Sequence, residues 1–258
     1  MAEKRKIEVC FSPAMYHSFH DDNSIIVIVD ILRATTAMCT AFMNGAKSLI
    51  PVSTLEEAKE YKSKGYLVAA ERDGIVCDFA DFGNSPYNFQ REIVEGKTIV
   101  YSTTNGTQAI NMAKKAYKIL VGSFLNISAL ASYITYENKD VIIFCSGWKD
   151  RFSLEDTLFA GALADKLLNN YNKFYTICDS AIAAIDLWSI ARKDIMAYIE
   201  KAAQRHRLKQ KKLDNVLEYC FSPDQTELIP YLSGEKLVVN FYCENNNNLS
   251  SKNIKIKL

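Results

Sequence analysis

Thr98 to Thr107 reads TIVYSTTNGT, a short apolar run that breaks into hydroxyls, an amide and a glycine. Ile99, Val100 and Tyr101 suit a buried strand, and Gln108, Ala109, Ile110, Met112 and Ala113 then recur at helical spacing. The stretch therefore reads as strand, polar loop, helix. The first N–H groups of such a helix have no partner inside it, and its dipole puts partial positive charge at the loop, so an anion is favoured there. Ser102, Thr103, Thr104, Asn105 and Thr107 add side-chain donors at the same point. The same residues also fit a plain helix start, with Thr104 or Asn105 as cap and Gly106 relieving the turn. What separates the two readings lies elsewhere in the chain.

The pattern recurs on both sides. Upstream, SIIVIVD at Ser24–Asp30 is a continuous apolar, β-branched run of the kind found in a strand covered on both faces, and it ends on an acid. Ile31, Leu32, Arg33, Ala34, Thr35 and Thr36 follow, leading into a small-residue helix stopped at Asn44-Gly45. Lys6 to Cys10 reads as a first strand, Pro13 to Asn23 as a polar connection and Ser48 to Val52 as another strand. Thr54 and Glu57 have capping-box spacing, which predicts a helix to about Lys64. Tyr66 to Ala70 resumes as strand and runs into the charged turn Glu71-Arg72-Asp73-Gly74, and a helix is expected after Pro86. Downstream, KILVG at Lys118–Gly122 leads through Ser123 and Asn126 into a helix from Ser128 to about Tyr136. DVIIFC at Asp140–Cys145 leads through Ser146–Asp156 into a long helix ending near Leu168. This alternation predicts an α/β fold, layered α/β/α around a largely parallel or mixed central sheet with right-handed crossovers.

The last hundred residues change character. Ala181 to Ala203 is expected to be helical, Gln225 to Leu232 to precede a terminal strand LVVNFY, and the polar tail to finish in an alternating stretch fit for an edge strand. Lys201 to Lys212, KAAQRHRLKQKK, concentrates six Lys or Arg and reads as a solvated face or connection rather than a nucleic-acid contact. No strong linker divides the chain, so residues 1–258 are expected to form a single domain.

Bulk properties exclude several classes. Of 258 residues, 48% are hydrophobic and 24% charged, which rules out disordered and collagen-like chains. Lys plus Arg, 31, nearly cancels Asp plus Glu, 30, so no overall field draws the chain to nucleic acid or to an anionic membrane; any anion must be held locally. No apolar run reaches the length of a membrane span and the start lacks a long apolar segment, so a cytoplasmic location is the expectation. The seven cysteines, at 10, 39, 77, 145, 178, 220 and 243, are scattered and mostly inside apolar runs, which reads as reduced core residues rather than a disulfide framework. His17, His20 and His206 form no metal-ligand spacing.

In open α/β sheets, ligands bind beyond the carboxyl ends of the strands. Four units here place polar residues at such ends: Asp30 with Arg33, Thr35 and Thr36; Ser102 to Thr107; Ser123 with Asn126; and Arg151 with Ser153, Glu155 and Asp156. One capped helix is ordinary. Four hydroxyl-rich helix starts with two arginines suggest a pocket for a small polyanion, since the guanidinium fork pairs with oxyanions in two-point fashion. Acids beside such a pocket repel the ligand unless a hard cation lies between, which brings Mg²⁺ and phosphate chemistry into view. GxxxxGK[ST] and GxGxxG are both absent, which argues against a nucleoside triphosphate or dinucleotide. Cys145 and Arg151 have the spacing of a thiol phosphatase loop, but SGWKD between them has one glycine and Cys145 continues an apolar run, so a buried structural cysteine is the favoured reading. Asp30 also fits a phosphoryl-accepting carboxylate, ranked below metal ligation because no second acid stands two positions on.

VDILRATT (29–36), AERDG (70–74), DFGNSP (81–86), STTNGT (102–107), VGSFLN (121–126) and RFSLEDTLFAGAL (151–163), in this order, resemble the 2-phosphosulfolactate phosphatase family, the ComB-type enzymes of coenzyme M biosynthesis. The resemblance spans about Val27 to Leu168, with a looser echo at LIPYL near residue 230. It implies a Mg²⁺-dependent phosphatase of α/β fold, a phosphoric monoester hydrolase that converts (2R)-2-phospho-3-sulfolactate to 3-sulfolactate and phosphate. The motif positions are Asp30, Arg33, Thr35 and Thr36; Glu71 and Arg72; Asn84 and Ser85; Thr103, Thr104, Asn105 and Gly106; Ser123 and Asn126; and Arg151, Ser153, Glu155 and Asp156. On that basis Asp30, Arg33 and Arg151 are the expected catalytic residues. Thr35, Thr36, Arg72, Thr103, Thr104, Asn105, Gly106, Ser123, Asn126 and Ser153 are expected to bind substrate, and Asp30, Glu71, Glu155 and Asp156 to hold Mg²⁺.

Plainer roles stand beside these. Glu155 or Asp156 also suits a helix N-terminus, and Arg72 also suits an ion pair with Asp73 or Asp81. A phosphatase for another small phosphorylated acid, a non-catalytic anion-binding module and a cysteine phosphatase using Cys145 remain as alternatives. The expected partner is a small phosphate or sulfonate anion, with no nucleic acid and no membrane, and a homodimer is the commonest assembly for such a domain. One spatial expectation ties the reading together: Asp30, Arg33, Asn105 and Arg151 meet at one mouth of the sheet.

Overall fold

Ile25 to Val29 is buried at every position, so both faces of this strand need helices over them. The computed structural model describes residues 3–241. In chain order the elements are β1 (Arg5–Cys10), α1 (Tyr16–Phe19), β2 (Ile25–Val29), α2 (Ala34–Met43), β3 (Ser48–Pro51), α3 (Leu55–Ser63), β4 (Leu67–Arg72), β5 (Ile75–Val76), α4 (Arg91–Val94), β6 (Thr98–Ser102) and α5 (Gly106–Met112). There follow β7 (Lys118–Gly122), α6 (Ile127–Glu137), β8 (Val141–Cys145), α7 (Leu154–Asn170), β9 (Phe174–Tyr175), α8 (Asp179–Ala191), α9 (Ile195–Ile199), α10 (Ala203–Gln210), α11 (Leu217–Cys220), β10 (Leu228–Ser233) and β11 (Lys236–Phe241).

The strands form one sheet in the order β5-β4-β6-β3-β11-β10-β7-β2-β8-β1-β9. Two parallel units make it up. One is β4-β6-β3 and the other is β7-β2-β8-β1-β9. Between them lies the antiparallel hairpin β10-β11, joined to each unit through one register pair, Tyr231↔Leu120 and Leu237↔Leu49. The sheet is thus mixed but mostly parallel, with helices on both faces of the larger unit, as the alternation of elements predicts. Ile25, Val27 and Val29 pack with Leu130 of α6 and Leu158 and Leu163 of α7, while Ile26 and Ile28 pack with Met38 and Phe42 of α2. Ile99 and Tyr101 of the smaller unit join that second cluster, so α2 is shared by both units. It is buried from Ala34 to Phe42, which is why its sequence is apolar or small on every side.

Several expectations need correction. LIPYL does not merely precede the last strand; it is β10, in the middle of the sheet. Pro230 lacks the donor a central strand needs, yet β10 meets β7 at one register pair, so little ladder is lost there. The helix expected over Ala181–Ala203 is two helices, because Asp194 caps a new start by accepting the Ala197 N–H at 3.0 Å. Pro86 opens a 3-10 turn to Asn88, with α4 starting only at Arg91, and the connection after Pro13 contains the short α1. Cys10, Cys39, Cys145 and Cys220 are buried free thiols, in keeping with a reduced core. The polar tail and Cys243 lie outside the described residues. Among the described residues no helix is long and apolar enough to cross a membrane.

Candidate active site

The site starts where β2 ends. Asp30 is 7% exposed and its backbone is fixed by Thr35, whose N–H and hydroxyl both donate to the Asp30 carbonyl at 2.9 Å. The Asp30 Oδ1 accepts the Ala34 N–H at 3.2 Å. The other oxygen, Oδ2, faces Gly106 at the start of α5: a Cβ built there would stand 3.2 Å from Oδ2 and 2.9 Å from the Ala34 Cβ. Gly106 is therefore glycine because the loop after β6 closes against the carboxylate of β2. Arg33, 4% exposed, donates from Nη2 to Asn84 Oδ1 at 2.9 Å, while its Nη1 is buried without a partner. Burial of the guanidinium disfavours its charge, so an unspent donor here is costly unless an anion arrives to take it.

The smaller unit supplies the opposite wall. Glu71, at the end of β4, accepts the Thr104 N–H at 2.8 Å and its hydroxyl at 3.1 Å on one oxygen, and the Gly74 N–H at 2.5 Å on the other. Arg72 does not pair with Asp73 or Asp81. It donates to the Glu71 carbonyl at 2.7 Å and to Ser102 Oγ at 3.0 Å, while Asp73 pairs with Lys149 and Asp81 with Lys62. Asn105 stands at the N-cap position of α5, but its side chain does not cap the helix: the Thr103 hydroxyl accepts the Thr107 N–H at 3.3 Å, and the Thr107 hydroxyl donates back to the Thr103 carbonyl at 3.0 Å. Asn105 instead reaches across, its Oδ1 accepting the Lys149 N–H at 3.2 Å.

That contact joins the loop after β8. Asp156, in the first turn of α7, accepts the Ile31 N–H at 2.9 Å on one oxygen and the Gly147 N–H at 3.1 Å on the other, so it ties the loops after β2 and β8 together. Ser153 caps α7 through the Asp156 N–H at 3.4 Å, and its hydroxyl also reaches the Glu155 carboxylate. Arg151 pairs with Trp148 through backbone atoms at 3.0 Å in both directions, and its side chain is exposed at the rim. The loops carrying Asp30, Arg33, Asn105 and Arg151 therefore meet at one place, with Arg33 at the bottom and Arg151 at the edge. Cys145, with five residues between it and Arg151, is fully buried; burial and the Asp156 charge push its thiol well above the ordinary range, the reverse of what a nucleophilic thiolate needs.

The fourth unit is different. Ser123 Oγ accepts the Leu125 N–H at 3.3 Å and meets Thr36 Oγ1 at 3.2 Å, and Thr36 also donates to the Ile31 carbonyl at 3.0 Å. Asn126, fully buried, accepts the Ser123 N–H at 3.0 Å and donates to the Val121 and Leu228 carbonyls, both at 3.2 Å. These polar atoms are spent on holding β10 to the loop after β7.

The acids decide the electrostatics. Burial pushes the Asp30 carboxyl up to about 7, with repulsion from Glu71 and Glu155 adding to it and the Ala34 N–H and Arg33 opposing. Burial raises Glu155 and, together with Glu155 and Asp30, raises Asp156 well above the usual carboxylate range. Among the described residues no ion pair includes any of the three; Arg33 acts on Asp30 and Arg207 on Glu155 only at longer range. No three His, Cys, Asp or Glu side chains among the described residues are grouped as a closed metal cage. A Mg²⁺ needs only one or two carboxylates, taking its other ligands from water and from a phosphate. Glu71 and Asp156 have both oxygens occupied by protein donors, which leaves Asp30 Oδ2, with Glu155 nearby, as the oxygens that fit a cation.

One flank of the mouth was not foreseen. Gln204 of α10 donates from Nε2 to the Leu32 carbonyl at 3.0 Å, Lys211 Nζ donates to the Asp73 carbonyl, and Arg207 stands over Trp148. The basic run thus lies against the site. Its composition alone resembles any solvated helix; only the spacing of Gln204, Arg207 and Lys211 on one helical stripe hints at a buried face.

Comparison with known proteins follows the geometry. The profile of the 2-phosphosulpholactate phosphatase family matches residues 10–235. A Clostridium perfringens (strain SM101) protein named "Probable 2-phosphosulfolactate phosphatase" is 38% identical over 230 residues, 87% of this chain and 92% of the relative. Proteins of the same name from Caldanaerobacter subterraneus subsp. tengcongensis and Thermotoga maritima are 34% and 37% identical, over 84% and 80% of this chain and 92% and 88% of their own lengths.

Proposed function

The chain belongs to the 2-phosphosulpholactate phosphatase family, and from this and the site we propose that it hydrolyses 2-phosphosulfolactate to 3-sulfolactate and inorganic phosphate, with dependence on Mg²⁺ and a role of the coenzyme M biosynthesis type. The observation that carries the proposal is the buried Nη1 of Arg33, which has no partner among the described residues and lies within electrostatic range of Glu71 and Asp30. A phosphoryl oxygen satisfies that donor, and Asn84 holds the other arm of the fork so that the guanidinium is oriented before substrate arrives. Phosphoryl transfer asks the protein mainly for position and for charge placed against the developing negative oxygens, which a fixed guanidinium in a buried pocket supplies.

A hard cation bound here would be held by Asp30 Oδ2 and Glu155. When bound, Mg²⁺ neutralises these acids against the phosphate and polarises the phosphoryl group. The remaining residues keep the frame: Asp156 locks the two loops of the larger unit, Glu71 locks the loop after β6, and Thr35 holds Asp30 at the strand end. The test is phosphate release from 2-phosphosulfolactate with and without EDTA. Release that EDTA abolishes and Mg²⁺ restores is the expected result. Equal release in both conditions removes the metal, and none in either removes the substrate.

A further inference from the structure

The run 201–212 departs furthest from its sequence reading. Gln204, Arg207 and Lys211 stand at i, i+3 and i+7 on α10 and the residue that caps it, which is one stripe of a helix. Both ends of the stripe are fastened to site loops: Gln204 Nε2 to the Leu32 carbonyl at 3.0 Å, beside Arg33, and Lys211 Nζ to the Asp73 carbonyl, beside the Glu71 wall. The helix therefore spans the mouth, and Arg207, between the two fastenings, faces it. Its guanidinium carbon lies 4.3 Å from the centre of the Trp148 ring, and its Nε is held by Gln204 Oε1 at 2.6 Å. Its two Nη atoms make no hydrogen bond among the described residues. Partial burial disfavours its charge, and Glu155, within electrostatic range, opposes that in part.

A guanidinium fixed on one flank by an amide and on one face by an indole, with its fork unspent, is prearranged to grip an oxyanion at two points. Arg33 already occupies the bottom of the pocket, and two cations at different depths suit a substrate with two separated anionic groups. We propose that Arg207 takes the oxyanion of the substrate that is not the phosphate, its sulfonate or carboxylate, and so sets which phosphate esters are accepted. This rests on the reading of the site as a 2-phosphosulfolactate phosphatase.

The test is steady-state phosphate release by wild type, Arg207→Gln and Arg207→Lys on 2-phosphosulfolactate and on 2-phospholactate, with inorganic phosphate as product inhibitor. Loss of a charge-assisted contact is expected to raise KM for phosphosulfolactate roughly ten- to a hundredfold in Arg207→Gln, with kcat moving far less. Arg207→Lys, which keeps the charge and loses the fork, is expected to fall between. A rise confined to phosphosulfolactate assigns the guanidinium to the sulfonate, and an equal rise with both esters assigns it to the shared carboxylate. No rise with either ester overturns the proposal, as does a matching rise in the inhibition constant of inorganic phosphate, which moves Arg207 to the phosphate end. Should wild type hydrolyse neither ester, the substrate reading fails, and titration of both proteins with 3-sulfolactate still tests Arg207: affinity lost in Arg207→Gln supports it, and equal affinity overturns it.

Discussion

The loop after β6, Ser102 to Gly106, and the loop after β7, Ser123 to Asn126, carry the same kinds of residue at the same kind of place, and the structure uses them in opposite ways. After β7 every polar atom of Asn126 is engaged by Ser123, Val121 and Leu228, and the Ser123 hydroxyl caps the turn that follows. After β6 the hydroxyls are spent too, on Glu71 and on the first turn of α5, but Gly106 brings the loop against a carboxylate oxygen of Asp30, on the same loop as Arg33 with its unspent arm. Richness in hydroxyls and amides therefore does not mark a site. The unpartnered Nη1 of Arg33, among loops that meet, is the better pointer, because the protein carries its desolvation cost until a ligand removes it.

The largest effect expected from this contrast is at Arg33. Arg33→Gln should lower kcat/KM roughly 10²–10³-fold, the scale of losing one prearranged donor to a reacting oxyanion. The melting temperature should change little, because the cation removed is buried with a single partner. A collapse in melting temperature with kcat/KM preserved would place Arg33 in the same class as Asn126.

Asn126→Ala is the mirror experiment. It strands two buried carbonyls and the Ser123 N–H, so chemical denaturation should show a loss of about 2–3 kcal/mol. The kcat/KM per folded molecule should shift by much less than in Arg33→Gln, and a comparable fall would move the loop after β7 to the substrate side. Gly106→Ala sharpens the contrast at lower amplitude. Its Cβ meets Ala34 at 2.9 Å and Asp30 Oδ2 at 3.2 Å, so the carboxylate shifts by a few tenths of an ångström, and kcat/KM should fall roughly tenfold.

The smallest effect lies at the amino end of β7, remote from the mouth. Glu137 is pulled up by burial, but hydrogen bonds from Lys118 and Tyr133 outweigh this and leave its carboxyl below the usual range. A lowered folded pKa means stability that is present above the unfolded pKa and lost as pH falls through the folded one. Glu137→Gln should therefore cost about 1 kcal/mol or less at neutral pH, and the difference from wild type should vanish in acid denaturation once the pH is below the folded pKa. A difference that persists at that pH would mean Glu137 acts through packing rather than charge.

Much of the frame was legible in the sequence because its causes are local. The unbroken run Ile25–Val29 demanded cover on both faces, Thr54 and Glu57 formed the box that starts α3, and the strand ends at Asp30 and Ser102 carried the polar residues that meet. Other features were not legible because they arise between residues far apart in the chain. Thr103 rather than Thr104 supplies the hydroxyl that takes an N–H in the first turn of α5, because Glu71, brought in by the neighbouring strand, takes Thr104. The segment with Pro230 sits in the middle of the sheet because the last hairpin fills the gap between two parallel units, a choice no local propensity encodes.

The sequence by itself determined the alternation of strands and helices, the apolar helix α2 and the strand-end loops, because hydrophobic period and capping act over a few residues. It also carried the motifs on which the kinship rests. The tertiary structure alone decided which polar atoms are spent and which remain, and that one stripe of the basic helix α10 is fastened to the site loops while the rest faces solvent. Burial and partnership depend on atoms from different strands and loops, from 33 residues apart at Glu71 and Thr104 to 172 at Leu32 and Gln204, and those meet only once the chain is packed.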